Sequence, residues 1–118
     1  MVHKPAFSGS VNGSPTINFV PSTSTSGGKT SLIGTTSSYT VTLTFPVSTG
    51  AGSFFYSSTI TASIFDGSST YVANGSKGSG SITIDSIPNG NYYGSFQFIG
   101  EDPSLNTTSV NGGSFSNL

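Results

Sequence analysis

The sequence predicts an all-β fold: a single-domain antiparallel sandwich or flattened barrel of about nine or ten short strands spanning residues 1–118. Three observations predict it. Apolar residues alternate with Ser and Thr at a period of two in segment after segment, a spacing that only a half-buried strand satisfies. Asn-Gly, Asp-Gly and Pro-containing clusters punctuate those segments with turn chemistry. Nowhere does an apolar stripe of period 3.6 run without Gly, Pro or a β-branched cluster, so no substantial helix is expected.

The elements follow in chain order. Residues 7–11 and 16–20 flank Asn12-Gly13 and read as a hairpin. Residues 21–30 form the one low-complexity stretch and read as a flexible Ser/Thr/Gly surface loop. Tyr39, Val41, Leu43 and Phe45 alternate without a break with Thr40, Thr42 and Thr44, the clearest strand of the chain. Ile60, Ala62 and Ile64 repeat the pattern. Asp66-Gly67 then turns the chain so that residues 71–73 pair back. Ile82 and Ile84 form the next strand, Pro88-Asn89-Gly90 a turn, and residues 92–99 a long aromatic strand with Phe96 and Phe98 directed to the core. Residues 107–110 and 114–118 flank Asn111-Gly112-Gly113 and read as a closing hairpin.

Composition sets the function classes. The chain holds 25 Ser, 16 Thr and 16 Gly among 118 residues, with seven charged side chains, one His and no Cys. Nine Phe and five Tyr argue for a packed core rather than disorder. The net charge is −1, the lysines Lys4, Lys29 and Lys77 lie far apart and Arg is absent, so no basic footprint for nucleic acid or anionic lipid exists. No apolar run is long enough for a transmembrane helix, and residues 1–10 lack the apolar core of a signal peptide. Either the protein is not exported or the numbered chain begins after a removed leader. The Ser/Thr/Gly/Asn surface, poor in Lys and Glu, points to the periplasm, the outer-membrane surface or the cell exterior. The absence of Cys is neutral on compartment.

Several short motifs, Ser79-Gly80-Ser81-Ile82-Thr83-Ile84, Gly94-Ser95-Phe96-Gln97-Phe98 and Asn111-Gly112-Gly113-Ser114-Phe115-Ser116, resemble the strands of an uncharacterised family of exported lipoproteins found widely in Bacteroidota. Residues 7–13 and 39–45 are similar to that family's opening segments. The family's lipidated Cys is absent, as it would be after trimming of a leader, and Ser14-Pro15 stands where an aromatic often follows the opening turn. The resemblance implies an exported β-domain and no established activity.

Candidate chemistry is sparse. Gly28-Lys29-Thr30 matches the end of a phosphate-binding loop, but the first Gly of that motif falls on Thr23, and neither a preceding buried strand nor a following helix is present. His3 is the lone imidazole and lies outside the first strand, away from the rigid placement a general base needs. Of the carboxylates, Asp66 reads as a turn residue, Asp85 as solvent-facing, and Glu101 and Asp102 as loop residues, with a calcium site from the last two and nearby carbonyls as the functional alternative. Asn74-Gly75-Ser76 and Asn106-Thr107-Thr108 match the glycosylation triplet by chance of composition. Thr40, Thr42 and Thr44 would form a hydroxyl array beside Thr59, Thr61 and Ser63 if their strands were neighbours, although Thr is simply well suited to the wet face of a strand.

No catalytic set, cofactor site or metal site is therefore assigned. The expected function is a non-catalytic extracytoplasmic structural or adhesive module, self-assembling as a homo-oligomer or docking a surface partner through terminal edge strands that carry Phe7, Val11, Phe115 and Leu118. Low net charge favours such association. The alternative is a module that binds a glycan or an apolar ligand. Consecutive aromatics at 54–56 and 92–93 force rings outward from a two-faced strand, which nominates Phe55, Tyr56, Tyr92 and Tyr93 as contacts.

Overall fold

Alternation of small hydroxyl residues with Val, Leu, Ile and Phe fits a pleated strand because successive side chains point to opposite faces, one wet and one dry. In a computed structural model, which describes residues 5–118, this pattern yields ten strands. They are β1 (Ala6–Val11), β2 (Ile17–Ser26), β3 (Lys29–Thr35), β4 (Thr40–Pro46), β5 (Gly52–Phe55), β6 (Thr61–Phe65), β7 (Thr70–Ala73), β8 (Ser79–Ser86), β9 (Tyr93–Glu101) and β10 (Thr107–Ser116). A single 3-10 turn at Pro88–Gly90 joins β8 to β9.

All pairings are antiparallel, in the order β10-β1-β2-β3-β4-β6-β7-β9, and β9 pairs back with β10 to close an eight-stranded barrel. β8 and β5 continue outward from β9 as a two-stranded flange. The principal extents of 43 × 29 × 22 Å make the body flattened rather than round, as the sequence predicts.

Ring closure depends on β9. One of its edges is occupied along its length by β10, while the other is shared between β8, against residues 93–99, and β7, at the single pair Val72↔Glu101. β7 and β8 diverge at Gly78, which adopts φ +63° and whose N–H donates to Glu101 Oε1 at 2.8 Å. A Cβ there would lie 2.2 Å from the Ile99 carbonyl oxygen, so only glycine fits the fork.

The core is one aromatic-rich cluster that runs from the barrel to the inner side of the flange, where Tyr56, Ile82 and Ile84 join it. Phe19 meets Phe7 edge-on at 5.6 Å, Phe7 meets Phe96 at 5.2 Å, and Phe96 stacks with Phe98 and Phe115. Each such ring, taken from full exposure to burial, contributes roughly 1.5–3 kcal/mol. The inward direction of Phe96 and Phe98 agrees with the sequence reading.

Three sequence expectations are corrected. Residues 21–30 are not a flexible loop: β2 runs to Ser26, and the two-residue turn Gly27-Gly28, with φ of +60° and +78°, returns the chain into β3 in continuous register from Val20↔Thr35 to Ser26↔Lys29. Ser and Thr build a solvent-facing strand as readily as a loop, and the Gly-Gly pair supplies the left-handed turn. Residues 107–118 are not a hairpin either. β10 continues through Asn111-Gly112-Gly113, which forms a β-bulge in both of its ladders, with Gly112 at φ +58°. The bulge explains a phase slip in the sequence, since Val110 and Phe115 both point inward although they are five residues apart.

The third correction concerns the terminal strands. Because the barrel closes, β1 lies between β10 and β2, and β10 lies between β1 and β9, so neither is an edge. Phe7, Val11, Phe115 and Leu118 are all buried and unavailable for assembly.

Tyr56, just past β5, is buried against Phe98 at a ring separation of 6.1 Å, and its phenol oxygen has no hydrogen-bond partner among the described residues. An unpaired buried hydroxyl costs on the order of 1–3 kcal/mol. Tyr56→Phe, which keeps the ring and removes that oxygen, is accordingly expected to leave stability unchanged or raise it by about 1 kcal/mol in urea unfolding; a clear loss of stability would mean that the hydroxyl is paired.

Candidate functional site

The flange carries the surface best suited to binding. Alternation places Ser53 and Phe55 of β5, Ser81 and Thr83 of β8, and Tyr93, Ser95, Gln97 and Ile99 of β9 on its outer face. Register aligns them into rows. Ser53 pairs with Thr83, Thr83 with Ser95, Ser95 with Ser114 and Ser114 with Ser8, a band of hydroxyls across five strands. Two pairs within it are joined by side-chain hydrogen bonds, Ser53 with Thr83 at 2.9 Å and Ser8 with Ser114 at 3.0 Å. The next row is Phe55, Ser81 and Gln97, which ends at the β10 bulge.

The bulge shapes the face. Gly112 and Gly113 leave a depression of about 300 Å³ walled by Ser81, Thr83, Ser95 and Gln97. A Cβ on Gly113 would fall 2.5 Å from the Phe96 ring, so the position admits no side chain. Smaller hollows adjoin it, one of about 120 Å³ beside Ser53 and Phe55 and one of about 200 Å³ beside Gln97, Ile99 and Asn111. Together they form a shallow uncharged tray. Phe55, 85% exposed, stands at one corner and half-buried Tyr93 at the diagonal corner, two strands across and four residues along, a span of roughly 16 Å from strand spacing and rise. Hydroxyls and an amide that donate and accept, flanked by aromatic faces, are the chemistry that engages a polyhydroxylated ligand.

The structure thus brings Phe55 and Tyr93 to one face and removes two other nominated contacts. Tyr56 is 6% exposed, within the core, where burial pushes its phenol well above the usual range. Phe54 and Tyr56 pack on the core from the inner side of the flange, so only Phe55 of the three consecutive aromatics is left bare. Tyr92 points the opposite way from Tyr93, packs edge-on against Phe45 at 5.1 Å and exchanges backbone hydrogen bonds with Leu118. It borders a separate cleft of about 340 Å³ at the barrel mouth, with Thr23, Thr25 and Thr30. Sequence reasoning missed Ser95 and Gln97, although the inward Phe96 and Phe98 imply that their neighbours face outward. The threonine array does come together, with Thr42 opposite Ser63 and Thr44 opposite Thr61, but these side chains are half-buried among their neighbours.

The carboxylates have local partners. Asp66 accepts the N–H groups of Ser68 and Ser69 and the Tyr71 hydroxyl, and these contacts, that of Ser69 first, hold it below the usual carboxylate range. Asp102 is buried and accepts from Asn106 Nδ2 at 3.1 Å and from the N–H groups of Asn106 and Ser104, both at 2.9 Å. The Asn106 side chain is the leading cause of its lowered pKa, opposed by desolvation and helped by the Lys77 charge. Glu101 is engaged at the fork, so a calcium site from Glu101 and Asp102 would have to break the contacts that form their loop. Asp85 is exposed on β8, and Gly28-Lys29-Thr30 lies in the β2–β3 hairpin. His3 lies outside the described residues.

A depressed folded-state pKa stabilises above the ordinary Asp value, near 3.9, and that stability is lost as pH falls through the lower folded value. Denaturant titrations between about pH 6 and pH 2 are expected to show this acid-side loss, and Asp102→Asn is expected to flatten it while lowering stability at neutral pH. An unchanged pH profile would remove Asp102 as its source.

No curated protein and no solved structure matches this chain. A family model described as a domain of unknown function, DUF6252, matches residues 3–118, so nearly the whole chain, with barrel, flange and tray, belongs to the DUF6252 family.

Proposed function

We propose that the protein is a non-catalytic binding module of the cell exterior whose flange face holds a neutral glycan chain. The observation that carries this reading is the pairing of exposed Phe55 and half-exposed Tyr93 across an uncharged floor of Ser53, Ser81, Thr83, Ser95 and Gln97. Carbohydrate binds by stacking its C–H faces on such rings while its hydroxyls exchange hydrogen bonds with side chains that both donate and accept. The tray floor carries no charge and Asp85, the next outward residue of β8 after Thr83, borders it, which favours neutral over acidic sugars. Resemblance to exported lipoproteins of Bacteroidota supports placement at the periplasm or outer-membrane surface, where polysaccharide is met. Calorimetric titration against neutral and acidic oligosaccharides tests the reading. Binding of a neutral oligosaccharide is expected, weakened about tenfold, or roughly 1.4 kcal/mol, by either Phe55→Ala or Tyr93→Ala. No neutral ligand, or affinities indifferent to both substitutions, would refute it.

A second reading keeps self-assembly but moves it to β5. That strand ends the sheet with one neighbour, β8, and carries neither Pro nor charge to protect its edge. Pairing of β5 with β5 of another copy would join two flanges. Four residues give a contact well below the roughly 1,200 Å² of a stable interface, so association would be weak. Sedimentation across a concentration series is expected to show dimers only at the highest concentrations, abolished by Phe55→Lys; a monomer throughout excludes this route.

A further inference from the structure

A cavity of about 540 Å³ lies off the tray, beside the fork, lined by β7, the turns on either side of it and the end of β9. Val72 and Pro103 supply apolar surface, and Thr70, Asn74, Lys77 and Glu101 supply polar groups. Its polar groups are unequal in availability. Asp66 and Asp102, the other carboxylates at this end, are saturated by the donors of their own turns. The Glu101 side chain uses one oxygen for the Gly78 N–H and makes no other hydrogen bond among the described residues. Asn74 Oδ1 accepts the Ser76 and Lys77 N–H groups, which leaves its Nδ2 donors without a partner among the described residues. The Lys77 ammonium is unpaired among the described residues as well, its charge acting on Asp102 only from a distance.

An ammonium and a carboxylate oxygen thus line one cavity without pairing with each other. A lone anion placed there would meet Glu101, and a lone cation would meet Lys77. A ligand that bears both charges satisfies both, with its carboxylate on Lys77 Nζ and Asn74 Nδ2 and its ammonium on Glu101. The apolar surface of Val72 and Pro103 suits a small aliphatic body between them. We infer that the fork is a second binding site, for a zwitterion with a free ammonium, a free carboxylate and a small aliphatic body, as in an amino acid or short peptide.

The site is separate from the tray, and its test is independent of glycan binding. Amide chemical-shift titration of the intact protein with alanine, dialanine and trialanine, at millimolar concentrations, is expected to give saturable shifts around Val72, Lys77 and Gly100–Glu101. The member that binds best distinguishes a free amino acid from a peptide. N-acetylalanine and alaninamide, each with one charge removed, are expected to bind at least about tenfold more weakly. Lys77→Met is expected to weaken the zwitterion about tenfold and to leave alaninamide unaffected. Glu101→Gln, whose amide oxygen still accepts the Gly78 N–H, is expected to do the reverse, with N-acetylalanine unaffected; a melting temperature within a few degrees of the parent confirms that the fork is intact. Absence of saturable shifts, equal binding of capped and free forms, or indifference to both substitutions would overturn the inference.

Discussion

Strand β9 is the constraint on which the rest of the structure depends. Its inward residues Phe96 and Phe98 sit at the centre of the aromatic core, touching Phe7, Phe115 and Tyr56. Its backbone pairs with three strands, β10 on one edge and β8 and β7 in succession on the other. A strand with two edges can serve three neighbours only if two of them divide one edge. That division produces both the closed barrel and the flange from one sheet, and it leaves the cavity at the point of division.

Both hollows lie where the sheet departs from regularity. The β10 bulge shifts the alternation of one strand by a residue, which keeps Val110 and Phe115 both inside, and it empties the ladder opposite Gln97. A regular strand there would carry side chains across the tray. The fork at Gly78 likewise leaves β7 and β8 unpaired with each other, and a cavity opens beside it along β7 and the end of β9. In each case a glycine occupies a position where a Cβ would strike a ring or a carbonyl, so the irregular backbone is open only to glycine.

Charge is distributed with similar economy. The residues of the tray floor are neutral, so that surface offers hydrogen-bonding groups and ring faces rather than charge. Three of the four carboxylates and Lys77 gather instead at the turns around the fork, and two of those carboxylates are consumed in building their loops. Glu101 alone serves both structure and surface, with one oxygen on the Gly78 N–H.

By itself the sequence determined the strands, since period-two alternation depends on neighbours along the chain: β4, the β6–β7 and β8–β9 hairpins and the inward Phe96 and Phe98 were all legible in it. It also determined that no basic or metal-ligating constellation is spelled out along the chain. Tertiary structure decided what alternation cannot, namely which strands lie side by side. The hydroxyls of residues 21–30 read as loop because a solvated strand and a solvated loop share a composition, and only pairing with β3 separates them. Gly112-Gly113 read as a turn because a bulge and a turn both need a left-handed glycine, and only the partner strands on both sides show that the chain continues. Phe7, Val11, Phe115 and Leu118 read as edge residues because closure of a barrel joins residues more than a hundred positions apart. The same long-range pairing set Phe55 and Tyr93 on one face, put Tyr56 in the core, and brought Lys77 to Glu101 across the fork.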